Sequence, residues 1–205
     1  MSSSRESILA KIAAASAPVA ARRALPDYQD DALLAHPRLG DGTLWEIFAR
    51  NFEAVAGRAL VGEAALTELL RAQQLRHGYC DPALLDRLGP ALAAAGVVVE
   101  TTFERARYDD YEFGITVASG AIAESGTLII DDLRTSDRLA ALSPWLHVAV
   151  LSEAEIIRSI PEAIARFDKA PNIIWITGPS KTADVEGILI QGVHGPGEQV
   201  ALLLG

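Results

Sequence analysis

A chain of 205 residues, half of them hydrophobic and 22% charged, can close one sizeable domain around an apolar core. A formal charge of −9 with no basic run argues against a nucleic-acid surface, and no apolar stretch is long enough for a membrane span. The single cysteine, Cys80, excludes an intrachain disulfide and any cysteine cluster for structural zinc or an iron–sulfur centre.

The chain opens with MSSSRESILAKIAAASA, whose Ala-Ser-Ala ending imitates a signal-peptidase site. Glu6 precedes the apolar run and Lys11 splits it, so no export core is left and a cytoplasmic protein is expected. Ser3 with Glu6 reads as a capping box, followed by a short amphipathic helix carrying Ile8, Leu9 and Ile12. Residues 17 to 42 hold Pro18, Pro26, Pro37, Gly40 and Gly42, too much punctuation for a long regular element, and read as an extended arm. Thr43 with Glu46 is a second capping box; Leu44, Ile47, Phe48, Phe52 and Val55 share one helical face, and Gly57 is placed to stop it.

From there the rhythm is α/β. A strand is expected at Ala59 to Val61, helices over Ala64 to Arg71 and Pro82 to Ala95, and a strand at Val97 to Val99. The stretch FGITVASGAIAESGTLIIDD gives two short strands, Ile115 to Ala118 and Thr127 to Ile130, with no helix between them. Leu146 to Leu151 reads as a buried strand. Ser152 with Glu155 opens a helix bearing Ile156, Ile160 and Ile164, which Pro161 kinks or splits. The closing elements are a strand at Asn172 to Thr177, a polar turn opening a short helix or loop to Leu189, the turn QGVHGPGE and a last strand, Val200 to Leu204. The division expected is residues 1–57 as N-terminal helices and arm and 58–205 as the α/β domain, joined in one continuous body.

Three polar clusters stand out. TGPSKTADVE follows the run Ile173 to Ile176, at a strand end where open α/β sheets bind ligands. Two readings are balanced there: Ser180 or Thr182 caps a helix whose first turn holds Asp184 and Glu186, or the amides at that helix start and the Lys181 ammonium hold a phosphate or carboxylate. Only three lysines stand against fifteen arginines, which makes Lys181 more noticeable. It is not a P-loop, because the spaced glycines are missing. The second cluster, GVHGP, is a tight turn in which His194 reads first as a surface residue; His36, His77 and His147 show no metal-ligand spacing. In the third, Glu124 sits in the apolar segment AIAESGT and needs either a partner or an outward-facing place at a hairpin bend.

The ordered segments GIT…AIAESGTLII, ITGPSKTADVE and GVHGP resemble the lactate-utilisation protein C family of LUD domain proteins, over roughly residues 97 to 205. Ser125, Lys181 and Glu112 depart from the Thr, Arg and Asp usual at those places. A Lys at 181 offers a mobile point charge where an Arg would grip bidentately. The resemblance implies an α/β fold with a Rossmann-like sheet of the ribose-phosphate isomerase, glucosamine-phosphate deaminase and CoA-transferase type. It implies a place in oxidising L-lactate to pyruvate beside iron–sulfur partner proteins, with no intrinsic cofactor on this chain and a dissociable small carboxylate or phosphate ligand. The residues it carries over are Thr116, Glu124, Gly126, Thr127, Gly178, Ser180, Lys181, Thr182, Asp184, Glu186, His194 and Gly195. Lys181, Ser180 and Thr182 would fix the ligand, with Glu124 and His194 approaching it as hydrogen-bond partners or proton carriers. The alternatives are a stand-alone CoA transferase-like or sugar-phosphate isomerase-like enzyme and a non-catalytic scaffold; homo-oligomerisation stays open.

Overall fold

The computed structural model describes residues 4–16, 39–167, 170–183 and 186–205. The chain divides into two units, 1–36 and 37–205. In the first, helix α1 (Ser4–Ser16) is the described element, and Ile8, Leu9 and Ile12 on it are exposed. The expected Ser3 cap and most of the expected arm lie outside the described residues.

In the second unit, helix α2 (Leu44–Ala54) starts as its sequence dictates. Thr43 Oγ1 accepts from the Glu46 amide, and the Glu46 carboxylate accepts from the Thr43 amide. Its C-terminus differs from expectation, because Ala56 takes the left-handed conformation (φ 70°) and the Gly57 amide donates back to Phe52. Then follow β1 (Arg58–Val61), α3 (Glu63–Ala72), β2 (His77–Cys80), α4 (Pro82–Ala94) and β3 (Val98–Glu100). A 3-10 turn (Arg105–Asp110) leads to β4 (Phe113–Val117).

Strands β5 (Gly120–Ile122) and β6 (Thr127–Asp131), helix α5 (Leu139–Leu142) and strand β7 (Leu146–Leu151) come next. After them lie β8 (Ile156–Ile157), α6 (Ile160–Arg166), β9 (Ile173–Ile176), β10 (Lys181–Ala183), β11 (Leu189–Gln191) and β12 (Glu198–Leu203).

Six strands form a wholly parallel sheet in the order β1-β12-β7-β4-β2-β3. Burial on both faces explains the apolar runs Val148 to Leu151 of β7 and Val200 to Leu203 of β12, since each strand sends alternate side chains to opposite layers. Val148, Val150, Val200 and Leu202 pack with Leu66, Leu70, Leu88 and Leu92 of α3 and α4. Ala149, Leu151 and Ala201 face the other way, toward Phe48 and Phe52 of α2 and Leu128 and Ile130 of β6. A second sheet, β8-β5-β6-β9, is mixed: β5 runs antiparallel to β6 and β6 to β9, while β5 runs parallel to β8.

Two expectations are corrected, and strand β2 was not foreseen. The helix foreseen from Ser152 is a single 3-10 turn (Glu153–Glu155) followed by β8 and then α6, so Ile156 and Ile160 share no helix face. Pro161 sets the break, because proline fits the first turn of a helix and not its interior. Where a short helix or loop was expected after TGPSK, residues 181–183 form β10, which pairs antiparallel with β11. Strand β2 has no apolar alternation to announce it: Gly78 lies against the Phe113 ring and His77 is half-exposed.

Candidate functional site

Two of the motif segments, AIAESGT and TGPSK, meet at the C-terminal half of α2, and GVHGP joins them through Ser180. Glu124 lies in the turn joining β5 to β6, and the Asn51 side-chain amide donates to the carbonyls of Ala123 (2.8 Å) and Glu124 (3.3 Å). Gly126, at φ 61°, presses on the same helix, where a Cβ would stand 2.3 Å from the Phe52 nitrogen. Gly178, at φ 82°, does so one turn on: a Cβ there would come 2.3 Å from the Val55 carbonyl oxygen. Only glycine meets both demands, a left-handed backbone and contact with another main chain. Lys181 Nζ donates to that same Val55 carbonyl at 3.4 Å, a long bond to a helix end where a cation is favoured.

Hydroxyl groups link the segments further. Ser125 Oγ lies 2.8 Å from Thr127 Oγ1, which lies 2.8 Å from Thr177 Oγ1, a chain from the β5–β6 turn to the end of β9. The Ser180 amide donates to the Pro196 carbonyl, and the Gly192 amide donates to the Ser180 carbonyl, both at 2.9 Å. Gly195 lies against the Ser180 side chain. Thus TGPSK binds AIAESGT on one side and GVHGP on the other.

The charged groups are held more separately. Glu124 Oε1 accepts from the Ile160 amide at 2.6 Å, satisfying the first N–H of α6. His194 is exposed in the 192–197 turn, Thr182 sits half-buried in β10, and Glu186 is exposed. Asp184 lies outside the described residues. Thr116 is fully buried in β4, where its hydroxyl meets His147 Nε2 at 2.9 Å, while His147 Nδ1 meets Gln199 Oε1 at 2.7 Å. Both ring nitrogens have partners in the neutral form, and burial pushes the imidazole pKa down to about 4. The anion reading that relied on a helix start at Ser180 loses that start to the hairpin; what is left is Lys181 and the hydroxyls of Ser180 and Thr182.

Two further sets of polar residues have structural roles that the sequence reading did not assign. Glu112, just ahead of β4, accepts from the amides of Arg76 (2.6 Å) and His77 (2.8 Å) and so ties the start of β2 to β4. At the opposite strand ends, buried Asp81 caps α4 through the Ala83 amide (3.0 Å), and its second oxygen accepts from the Ser136 amide (3.1 Å) and hydroxyl (2.6 Å). Tyr79 Oη lies 2.5 Å from Ser136 Oγ. The loop holding Ser136 forms a cleft of about 350 Å3 lined by Asp132, Thr135, Ser136, Asp137, Arg138 and Leu139. The only signals were the helix-starting pair Asp81-Pro82 and the polar run DDLRTSDR after β6. Among the described residues, no three of His, Cys, Asp and Glu gather as a metal site, and no helix is long and apolar enough to cross a membrane.

A parallel sheet with polar strand-end loops on one side and a motif-built assembly on α2 defines an α/β protein of the Rossmann-like class. The sequence profile of the LUD domain matches residues 54–204, and the chain belongs to that family. Relatives named lactate utilization protein C include that of Deinococcus radiodurans, 30% identical over 111 residues (52% of each chain). Another, from Bacillus subtilis, is 33% identical over 99 residues, 44% of this chain and 41% of that one. The matches thus span about half or less of those relatives' lengths. A crystal structure of a DUF162 family protein from Deinococcus radiodurans aligns with a TM-score of 0.45 and 18% identity, over 80% of this chain and 100% of that one.

Proposed function

We propose that this chain acts in the cytoplasm in L-lactate utilisation, beside iron–sulfur proteins that receive the two electrons released when lactate becomes pyruvate. The shared name of its relatives supports the reading, and so does the chain's lone cysteine, which gives it no thiolate array for an electron-accepting cluster. The observation that carries the site is the joining of the three motifs around α2, through Thr127 to Thr177, Ser180 to Pro196 and Lys181 to Val55. Lys181, with the hydroxyls of Ser180 and Thr182 and the nearby His194 turn, forms the rim that takes a small carboxylate or phosphate. Glu124 serves that rim indirectly, by fixing α6 and the β5–β6 turn.

A scaffold reading has one observation in its favour: the tight fits of Gly126 and Gly178 and the Glu124 bond to α6 hold loops and helices in place. The test is lactate oxidation by the purified chain with an artificial acceptor, alone and with its iron–sulfur partners. Turnover only in the mixture is expected. Full activity by the chain alone contradicts the subunit reading, and an unchanged rate when the chain is left out contradicts any role.

A further inference from the structure

The loop 132–138 belongs to none of the three motifs, yet it lies where the parallel sheet divides. From β2 the chain runs outward to β3, then crosses back to β4 and continues through β7 to β12, so the strand order reverses between β2 and β4. The space beyond the C-terminal ends of such a pair is where open α/β sheets hold ligands. Two anchors fix the loop over it. The Thr135 hydroxyl donates to the Val117 carbonyl at the end of β4 (2.9 Å), and Ser136 donates twice to Asp81, the residue after β2.

The cleft on this loop is lined almost wholly by polar side chains. Arg138 Nε contacts Asp132, and Asp132 Oδ2 accepts from the Asn172 side-chain amide (Nδ2) at 2.6 Å, so the guanidinium is largely offset by its partner. Asp137 spends Oδ1 on the Leu139 amide at 2.8 Å and carries the lining's surplus negative charge, with buried Asp81 behind Ser136. Such a lining repels phosphate and free carboxylate. It suits alcohol groups, which donate to carboxylate oxygens in charge-assisted bonds while accepting from a guanidinium. Burial pushes the Tyr79 phenol up to about 12, so it stays a donor to Ser136, whose own proton goes to Asp81.

We propose that this cleft binds a neutral ligand through a vicinal diol, that of a monosaccharide or of the ribose of a nucleoside, with Asp137 accepting from the hydroxyls and Arg138 donating to them. Ser136, Asp81 and Tyr79 are positioning residues that hold the loop in its binding shape. This site is separate from the Lys181 rim and does not depend on the lactate reading.

The test is titration of the 15N-labelled full chain with D-ribose, adenosine, 2′-deoxyadenosine and inorganic phosphate, following amide shifts, beside the same titrations of Asp137→Asn. Asparagine keeps the acceptor for the Leu139 amide, so the thermal midpoint should not move. Expected are shifts confined to residues 132–139 and their anchors with ribose or adenosine, about tenfold or more weaker binding of 2′-deoxyadenosine, and a similar loss for Asp137→Asn. Tighter binding of adenosine than of ribose assigns the site to nucleosides; equal binding assigns it to the sugar. Undisturbed 132–139 amides with both diols, equal affinity for the deoxynucleoside, a preference for phosphate, or full binding by folded Asp137→Asn each overturn the proposal.

Discussion

His147 is held neutral between Thr116 and Gln199 inside the parallel sheet, and that makes the fold sensitive to acid. The unfolded imidazole titrates near its ordinary 6.5 and the folded one near 4, so between those values the unfolded chain binds the extra proton. Stability should therefore fall as pH drops from 6.5 toward 4 and level off below, by on the order of 3 kcal/mol in all. Urea unfolding of wild type and His147→Gln at pH 7 and pH 5 measures this; a wild-type loss no larger than the variant's contradicts it. His77 works in the opposite sense. The Asp110 carbonyl on Nδ1, helped by Glu100 on Nε2, raises its pKa, so its contribution is present below the ordinary value and fades as pH rises through the folded one. Cys80 is buried, and burial together with Asp81 pushes its thiol up to about 12. The folded chain should resist a thiol reagent at pH 8 and react fully in denaturant; rapid native labelling would contradict that. The sequence placed His147 inside the run Leu146 to Leu151 read as a buried strand, but gave no sign of its partners, because Thr116 and Gln199 come from two other strands.

Among the elements, α2 is the hub, and its contacts set the cost of changing the motifs. Gly126→Ala must place a methyl 2.3 Å from the Phe52 nitrogen at a left-handed φ, so α2 or the β5–β6 turn has to shift. A loss of about 3 kcal/mol or more is expected in chemical denaturation, and a loss under 1 kcal/mol would deny the close approach. Glu124→Ala should cost about 1 kcal/mol by stripping the Ile160 amide of its partner, with faster exchange of that amide; unchanged exchange would contradict the bond. The capping box of α2 and the buried strands β7 and β12 were legible because local chemistry and apolar periodicity agreed there. The β10–β11 hairpin was not legible. Gly-Pro-Ser-Lys-Thr is sound helix-start chemistry, and the hairpin wins through pairing with Leu189 to Gln191, which no strong turn dipeptide between the two short strands announced. β8 was missed because Ile156 is spaced with Ile160 and Ile164 for a helix face, whereas Ile156 and its neighbour Ile157 instead complete a sheet beside β5.

At the scale of the molecule, the sheet leaves two separate polar regions. The motif assembly on α2 joins segments up to 126 residues apart, and the loop over the β2 and β4 ends is anchored by Asp81 and Val117. Family membership was readable from the three motifs because glycines that touch another backbone admit no other residue. The second region was hidden, because Asp81 and Ser136 belong to ordinary cap and loop sequences and only the folded topology brings them together. The central claim, that the joined motifs serve lactate use through the Lys181 rim, is met most directly by one assay. Lactate oxidation is measured in the mixture of this chain and the iron–sulfur partners proposed for it, with wild type and with Lys181→Ala of equal thermal stability. A rate at least about tenfold lower for Lys181→Ala, with the complex still assembled, is the predicted result; an undiminished rate would contradict the account.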